Sequence, residues 1–324
     1  MHIPDGFLDT KTITVTASLA AIGVGTAVRQ VRRTVPASRV PLIGLSAAFI
    51  FSAQMLNFPV AGGTSGHLIG AALAVALLGP GAAVLVMSSV VILQCLMFAD
   101  GGLTVLGANL LNMAVVAPFT AWLIYRGVIR LLGDSQHSRL TALAFAAWCS
   151  TVVASIFCAG ELAFSGMASG KVVFTAMAGV HMLIGIGEAV ISALVATAVA
   201  QLRPELLHNA TNTATAVTAK PSYKPVLWYG LVVSLGLVIF VAPFASSWPD
   251  GLEKVAEAIG FSSKAVEGIL PAPVPDYTFP GLESAFAATV IAGLIGTLVV
   301  FGLSYLLARL LTPSKGSHSI TTTM

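Results

Sequence analysis

VVFTAMAGVHMLIGIGEAVISALVATAVAQ, residues 172–201, holds thirty residues with a single histidine, His181, and a single carboxylate, Glu188. Wound as an α-helix at 1.5 Å per residue it reaches about 45 Å, more than the roughly 30 Å of hydrocarbon in a bilayer. Residues 81–99, 140–160 and 284–308 are similar runs with no charge at all. The 324-residue chain is 56% hydrophobic and 9% charged, against about 25% charged in a soluble domain. These features make it an all-α polytopic membrane protein and leave no room for a soluble domain of ordinary size.

Apolar runs read against Gly and Pro breakers give nine spans, near 12–28, 40–56, 68–78, 81–98, 103–125, 140–160, 172–200, 226–243 and 284–308. The third is too short to cross alone, so it is either re-entrant or a helix whose start extends back toward Gly66. Arg29, Arg32, Arg33 and Arg39 follow the first span, the reverse of a signal peptide's charge order, so an uncleaved N-terminus outside the cytoplasm is expected. With that start, 12 of the 16 Lys and Arg fall on the cytoplasmic side, as does the C-terminus. The expected place is the cell membrane, amid lipid. The net charge of +3 is spread over short loops, which gives no nucleic-acid surface.

Residues 204–225, including HNATNTATAVTAKPSYKP, are too polar to form a core and read as a flexible cytoplasmic linker. It divides a seven-helix module, residues 1–203, from a two-helix C-terminal hairpin, 226–310, with a polar tail at 311–324. Cys95, Cys149 and Cys158 lie in apolar runs without ligand spacing and read as buried hydrophobes. GMASGKV at 166–172 is one residue short of a P-loop and has Val where Ser or Thr must hold Mg²⁺. With no nucleophile elbow, HExxH or paired carboxylates either, the chain is not read as an enzyme, and no resident cofactor is expected.

MHIPDG, residues 1–6, carries the chemistry. The α-amine of Met1, the backbone nitrogen of His2 and its Nδ1 can close fused five- and six-membered chelate rings on one ion. Histidine is too bulky at the second position for the initiator methionine to be trimmed. Planar nitrogen ligation points to Ni(II) or Cu(II). Pro4 fixes its own φ and Asp5-Gly6 turns the chain, so the segment reads as a rigid hook. GGTSGH, residues 62–67, lies in a loop on the same side, where His67 can supply a fourth nitrogen. The metal set is therefore Met1, His2 and His67. Asn57, Gln54, Gln94, Asn109 and Asn112 are candidates to orient the hook or His67 from behind. His181 and Glu188, seven apart, share one helix face, either as a path for an ion or as an interhelical packing contact. His137, His208 and His318 read as solvated, and Asp100-Gly101-Gly102 as an outside turn.

MHIPDGFL, NFPVAGGTSGHLIGAAL, HMLIGIGEAVISAL and the PDGLE of the hairpin together closely resemble the CbiM/NikM substrate-binding components of energy-coupling factor transporters, fused to a CbiN/NikN-type PDGLE module. The resemblance covers nearly the whole chain outside linker and tail. It implies uptake of Ni²⁺ or Co²⁺, metal ligation by the Met1 amine, His2 and the loop histidine His67, and two kinds of partner: a transmembrane coupling subunit and cytoplasmic ATPases. Nickel ranks ahead of cobalt because of the planar chelate. In PDGLE, residues 249–253, Asp250 and Glu253 either attract cations or hold the loop against the first module so that metal can enter, or simply start a helix. The competing classes are an ion-coupled secondary transporter or channel using His181 and Glu188, and an interaction subunit without a ligand.

Overall fold

The computed structural model describes residues 1–203, Leu206 and 224–312. The linker and the tail with their histidines, His208 and His318, lie outside these residues. Seven helices precede the linker: α1 (Thr10–Thr34), α2 (Val40–Gln54), α3 (Ala71–Leu78), α4 (Pro80–Phe98), a broken helix made of α5 (Leu106–Asn109) and α6 (Ala117–Leu132), α7 (Gln136–Phe164) and α8 (Gly170–Leu202). Beyond the linker, α9 (Lys224–Phe240) and α11 (Ala285–Leu311) form the hairpin, with the short α10 (Gly251–Ile259) in the loop between them.

Seven helical stretches among the described residues are long and apolar enough to cross a membrane. Of the nine expected spans, α2 with 15 residues and α3 with 8 fall short of that length. The start of the third span also needs correcting: residues back to Gly66 do not extend the helix. Thr64–Gly66 is instead a strand, β2, paired antiparallel with β1 (Phe58–Val60) across a Gly62-Gly63 turn whose φ values of 83° and 70° only glycine adopts readily. Gly79, at φ 80°, separates α3 from α4, and Pro80 sits in the first turn of α4, where its missing N–H costs no helical bond.

Between α5 and α6 the backbone widens into a π-helical segment, Leu110–Val116. Pro118 removes the donor that would close the next regular turn, which accounts for the break falling just upstream of it. The two modules join helix to helix, α11 and α9 packing against α2. In that apolar seam Ser52 Oγ and Thr297 Oγ1 meet at 3.0 Å, a polar contact of the kind that locates membrane helices against each other.

Candidate metal centre

The first four residues form an inserted strap rather than a helix, and the chain turns at Asp5-Gly6, where Gly6 takes φ 92°. Met1 and Ile3 are buried in alternation, as in an extended chain, and Asp5, Phe7 and Leu8 are buried around the turn. The Ile3 N–H donates to Asn109 Oδ1 at 2.8 Å, its carbonyl accepts from Asn109 Nδ2 at 3.0 Å and from Gly102 N at 2.9 Å. The Asp5 carboxylate accepts from the Leu103 and Thr104 backbone nitrogens, at 3.1 and 2.8 Å, and from the Thr104 hydroxyl. Phe7 meets Phe261 edge-on with centroids 5.1 Å apart. A Cβ on Gly102 would collide with the backbone of Asp5, so the loop after α4 must have glycine there for the strap to lie down.

This strap delivers the amine of Met1 to 3.1 Å from His67 Nε2. An ammonium group can only donate, so Nε2 accepts, and the proton of His67 belongs on Nδ1, which lies 3.1 Å from the Leu68 carbonyl. The ring is thereby fixed in the tautomer that keeps Nε2 available as a ligand. The His2 ring lies 5.5 Å from that of His67, centroid to centroid. Both of its nitrogens are buried without a hydrogen-bond partner, an arrangement that costs free energy unless something else satisfies them. Among the described residues no three His, Cys, Asp or Glu side chains converge as a ligand set, so any cation held here draws on the amine and backbone nitrogens as well.

Two carboxylates sit beside these nitrogens that the sequence reading did not place there. Asp250 Oδ2 is 2.6 Å from the Met1 amine, and Asp100 Oδ1 is 3.6 Å from His2 Nδ1. Burial disfavours the charge on the amine, but the charge and hydrogen bond of Asp250, with help from Asp100, outweigh it and raise the group above its ordinary value. Burial likewise works against the Asp250 carboxylate, and the ammonium holds it well below the usual range. Burial pushes His67 down to about 3, aided by the amine's charge, and lowers His2 as well.

Asp250 also caps α10. Its Oδ1 accepts from the Leu252 and Glu253 N–H groups at 2.7 and 2.8 Å, and Glu253 Oε2 accepts from the Asp250 N–H at 2.9 Å, which closes a capping box. Both readings of PDGLE thus describe one geometry, with one oxygen on the helix and the other on the amine. The glycine-rich loop grips the same turn, Ser65 N donating to the Pro249 carbonyl at 2.8 Å and Ser65 Oγ to that of Trp248 at 2.7 Å.

Glu188 Oε2 and Oε1 accept from the backbone N–H groups of Ile69 and Gly70, at 2.5 and 2.8 Å. It is a buried clamp on the segment that carries His67. His181 Nδ1 lies 2.8 Å from the Met177 carbonyl, and its ring faces Gly251, where a Cβ would come within 2.8 Å of Cε1. Of the amides, Asn109 holds the hook and Gln54 Nε2 donates to the Ile69 carbonyl at 2.8 Å. Gln94 instead reaches Tyr277, and Asn112 reaches Glu161. The Asn57 carbonyl accepts from Ser246 N at 2.8 Å, and the residue lines a cavity of about 780 Å³ with His2, His67, Asp100 and Asp250. The missed residues carried a faint signal: Asp100 is followed by two glycines, which marks a loop another segment must approach closely.

The family model for the cobalt uptake substrate-specific transmembrane region, CbiM, matches residues 2–206, and that for the PDGLE domain matches 224–313. A relative from Archaeoglobus fulgidus, named as a fused nickel transport protein NikMN, is 36% identical over 95% of this chain and 98% of its own length. The fused nickel transport protein NikMN of Rhodobacter capsulatus is 30% identical over 94% of this chain and 96% of its own. A crystal structure of a truncated transition metal transporter superposes with a TM-score of 0.56 at 32% identity, covering 62% of this chain and 99% of that one. A multi-pass chain with this strap, this glycine-rich loop and these two matched regions belongs to the CbiM family of cobalt uptake substrate-specific transmembrane proteins, and it continues into a PDGLE domain.

Proposed function

We propose that this chain captures Ni²⁺ or Co²⁺ outside the cytoplasm as the substrate-binding subunit of an energy-coupling factor importer, with nickel ahead of cobalt. The observation that carries the reading is the convergence of the Met1 amine, the unpartnered His2 ring and the His67 Nε2 lone pair that faces the amine within one buried pocket. With the His2 backbone nitrogen they supply four nitrogens, and three of them are linked in one chelate. Late divalent ions can displace a backbone amide proton and accept a planar nitrogen set, whereas Mg²⁺ and Ca²⁺ favour oxygen. Two similar proteins named for nickel transport point the same way.

In this reading the ion is cargo, and ATP is hydrolysed by separate cytoplasmic subunits bound through a transmembrane coupling subunit. A path through His181 and Glu188 is less well supported, because both Glu188 oxygens are already committed to backbone N–H groups. Elemental analysis of protein purified with its native N-terminus after exposure to nickel or cobalt tests the proposal. One tightly held ion per chain is expected, and a metal-free protein would remove it. Single cysteines at Ala61 and Gln136, exposed at opposite ends of the helices, test the orientation. An impermeant reagent should reach only the first from outside.

A further inference from the structure

Asp100 faces the metal-binding pocket with one oxygen and the C-terminal module with the other. Its Oδ1 lies 3.6 Å from His2 Nδ1, beyond a hydrogen bond. Its Oδ2 accepts from the Tyr277 hydroxyl at 2.5 Å. That hydroxyl in turn accepts from Gln94 Nε2 at 3.1 Å, so its proton is committed to Asp100. The phenol ring is stacked on Phe98 with centroids 4.6 Å apart and planes at 13°. Val274 N donates to the Met97 carbonyl at 2.9 Å, which fastens the segment alongside the end of α4. Asp276 and Tyr277 are two successive non-glycine residues at positive φ, 51° and 54°. L-residues adopt this conformation at a cost, and it persists where the surroundings impose it, often at functional sites.

A metal on His2 Nδ1 would sit about 2.0 Å from that nitrogen. A carboxylate free to turn toward it would become an oxygen ligand. We propose that Tyr277 is a specificity-determining positioning residue that holds Asp100 beside the ion as a counter-charge but out of its ligand sphere, keeping the donor set all nitrogen. The PDGLE domain thereby sets which cations the first module accepts. Nitrogen-only ligation favours nickel, copper and cobalt, whereas an added carboxylate opens the site to manganese and similar oxygen-seeking ions. The inference rests on the metal site proposed above.

The test uses the full chain with its native N-terminus and Tyr277→Phe, which keeps the stacked ring and removes only the hydroxyl. Nickel and manganese are each titrated and the optical spectrum of the nickel form recorded. The wild type should show the spectrum of planar, diamagnetic nickel. Tyr277→Phe should still bind nickel, but its spectrum should move to that of a paramagnetic, higher-coordinate ion, and its preference for nickel over manganese should fall at least tenfold. Adding Asp100→Asn should return the planar spectrum and the preference, because the amide is a poor ligand. Asp100→Asn alone should stay planar, because the carboxylate it replaces lies outside the ligand sphere in the wild type. A wild type that binds no nickel overturns the metal site itself. A wild type that binds nickel in planar form, with Tyr277→Phe unchanged in spectrum and preference, overturns only the role of Tyr277. So does an Asp100→Asn protein whose nickel is no longer planar.

Discussion

The tripeptide Pro-Asp-Gly occurs at residues 4–6 and again at 249–251, one copy in each module, and the two do opposite things with the same letters. In the first, Gly6 takes φ 92° and the Asp5 carboxylate reaches across the chain to the N–H groups of Leu103 and Thr104. In the second, Gly251 enters a helix and Asp250 caps the N–H groups two and three residues ahead. An aspartate side chain seeks clustered backbone donors in both places. Whether those donors lie next in sequence or a hundred residues away is a matter of tertiary packing. Asp5 becomes part of the first module's interior, while Asp250 keeps one oxygen spare and spends it on the Met1 amine.

The largest effect should come from moving the first copy without altering it. Two leucines inserted between Met1 and His2, too bulky for the methionine to be trimmed and one residue too many for a terminal Xaa-Xaa-His chelate, keep every original side chain but separate the amine from the imidazole by two further peptide units. Nickel affinity by calorimetry should drop by more than the roughly 10–100-fold typical of losing an outer-shell partner. An unchanged affinity would show that the amine is not a ligand.

Next in size is the contrast between the two aspartates. Asp5→Ala orphans two backbone donors at a cost of roughly 1–3 kcal/mol each, and thermal unfolding should show it. Asp250→Asn keeps the cap, since asparagine caps about as well as aspartate, and the amine it leaves can shed its proton. Its loss of stability should be clearly the smaller. Equal losses would make the two turns equivalent after all.

The glycines should differ in the same sense. Gly6→Ala places a side chain at φ 92° against the Lys264 carbonyl, and a left-handed L-residue costs about 1–2 kcal/mol before any collision. At Gly251 the new methyl meets the side chains of His181 and Ile184, at 2.8 and 2.9 Å, and side chains can yield where a carbonyl cannot. A melting temperature reduced more by Gly251→Ala than by Gly6→Ala would reverse the comparison.

Acidity separates the two copies most finely. With His67 at about 3 and His2 lowered, the proton that competes with an ion near neutrality belongs to the amine, whose value lies above the ordinary 8.0 because of Asp250. Metal affinity should therefore fall by about tenfold per pH unit for the displaced backbone proton alone, and by about a hundredfold per unit once the pH drops below the amine's value, with no break near the imidazole reference of about 6.5. Asp250→Asn lowers the amine's value and should carry the onset of the steeper fall to lower pH. The ion pair itself has the reverse dependence at its two ends. The raised amine stabilises fully below 8.0, and its contribution is lost as pH rises through the folded value. The lowered Asp250 stabilises above 3.8, and its contribution is lost as pH falls through its own folded value. Protease resistance of the 249–259 segment should be greatest between those limits.

Composition and hydrophobic period were enough to read an all-α membrane protein and most of its helices, since burial in lipid demands long uncharged runs whatever their arrangement. Met1, His2 and His67 were legible as candidate ligands because chelate geometry at an N-terminus is local and a glycine-rich loop advertises close approach. Neither signal reaches across modules. Asp100 read only as a turn residue, Asp250 as a loop contact or a helix start with no partner named, Tyr277 carried no signal, and Glu188 could be an ion path or a packing contact, whereas its oxygens lie on Ile69 and Gly70. Which carboxylate meets which nitrogen depends on chain segments between about 100 and 250 residues apart packing together. Local propensity carries no record of such contacts, and only the folded chain, by burying those charges beside one another, decides them.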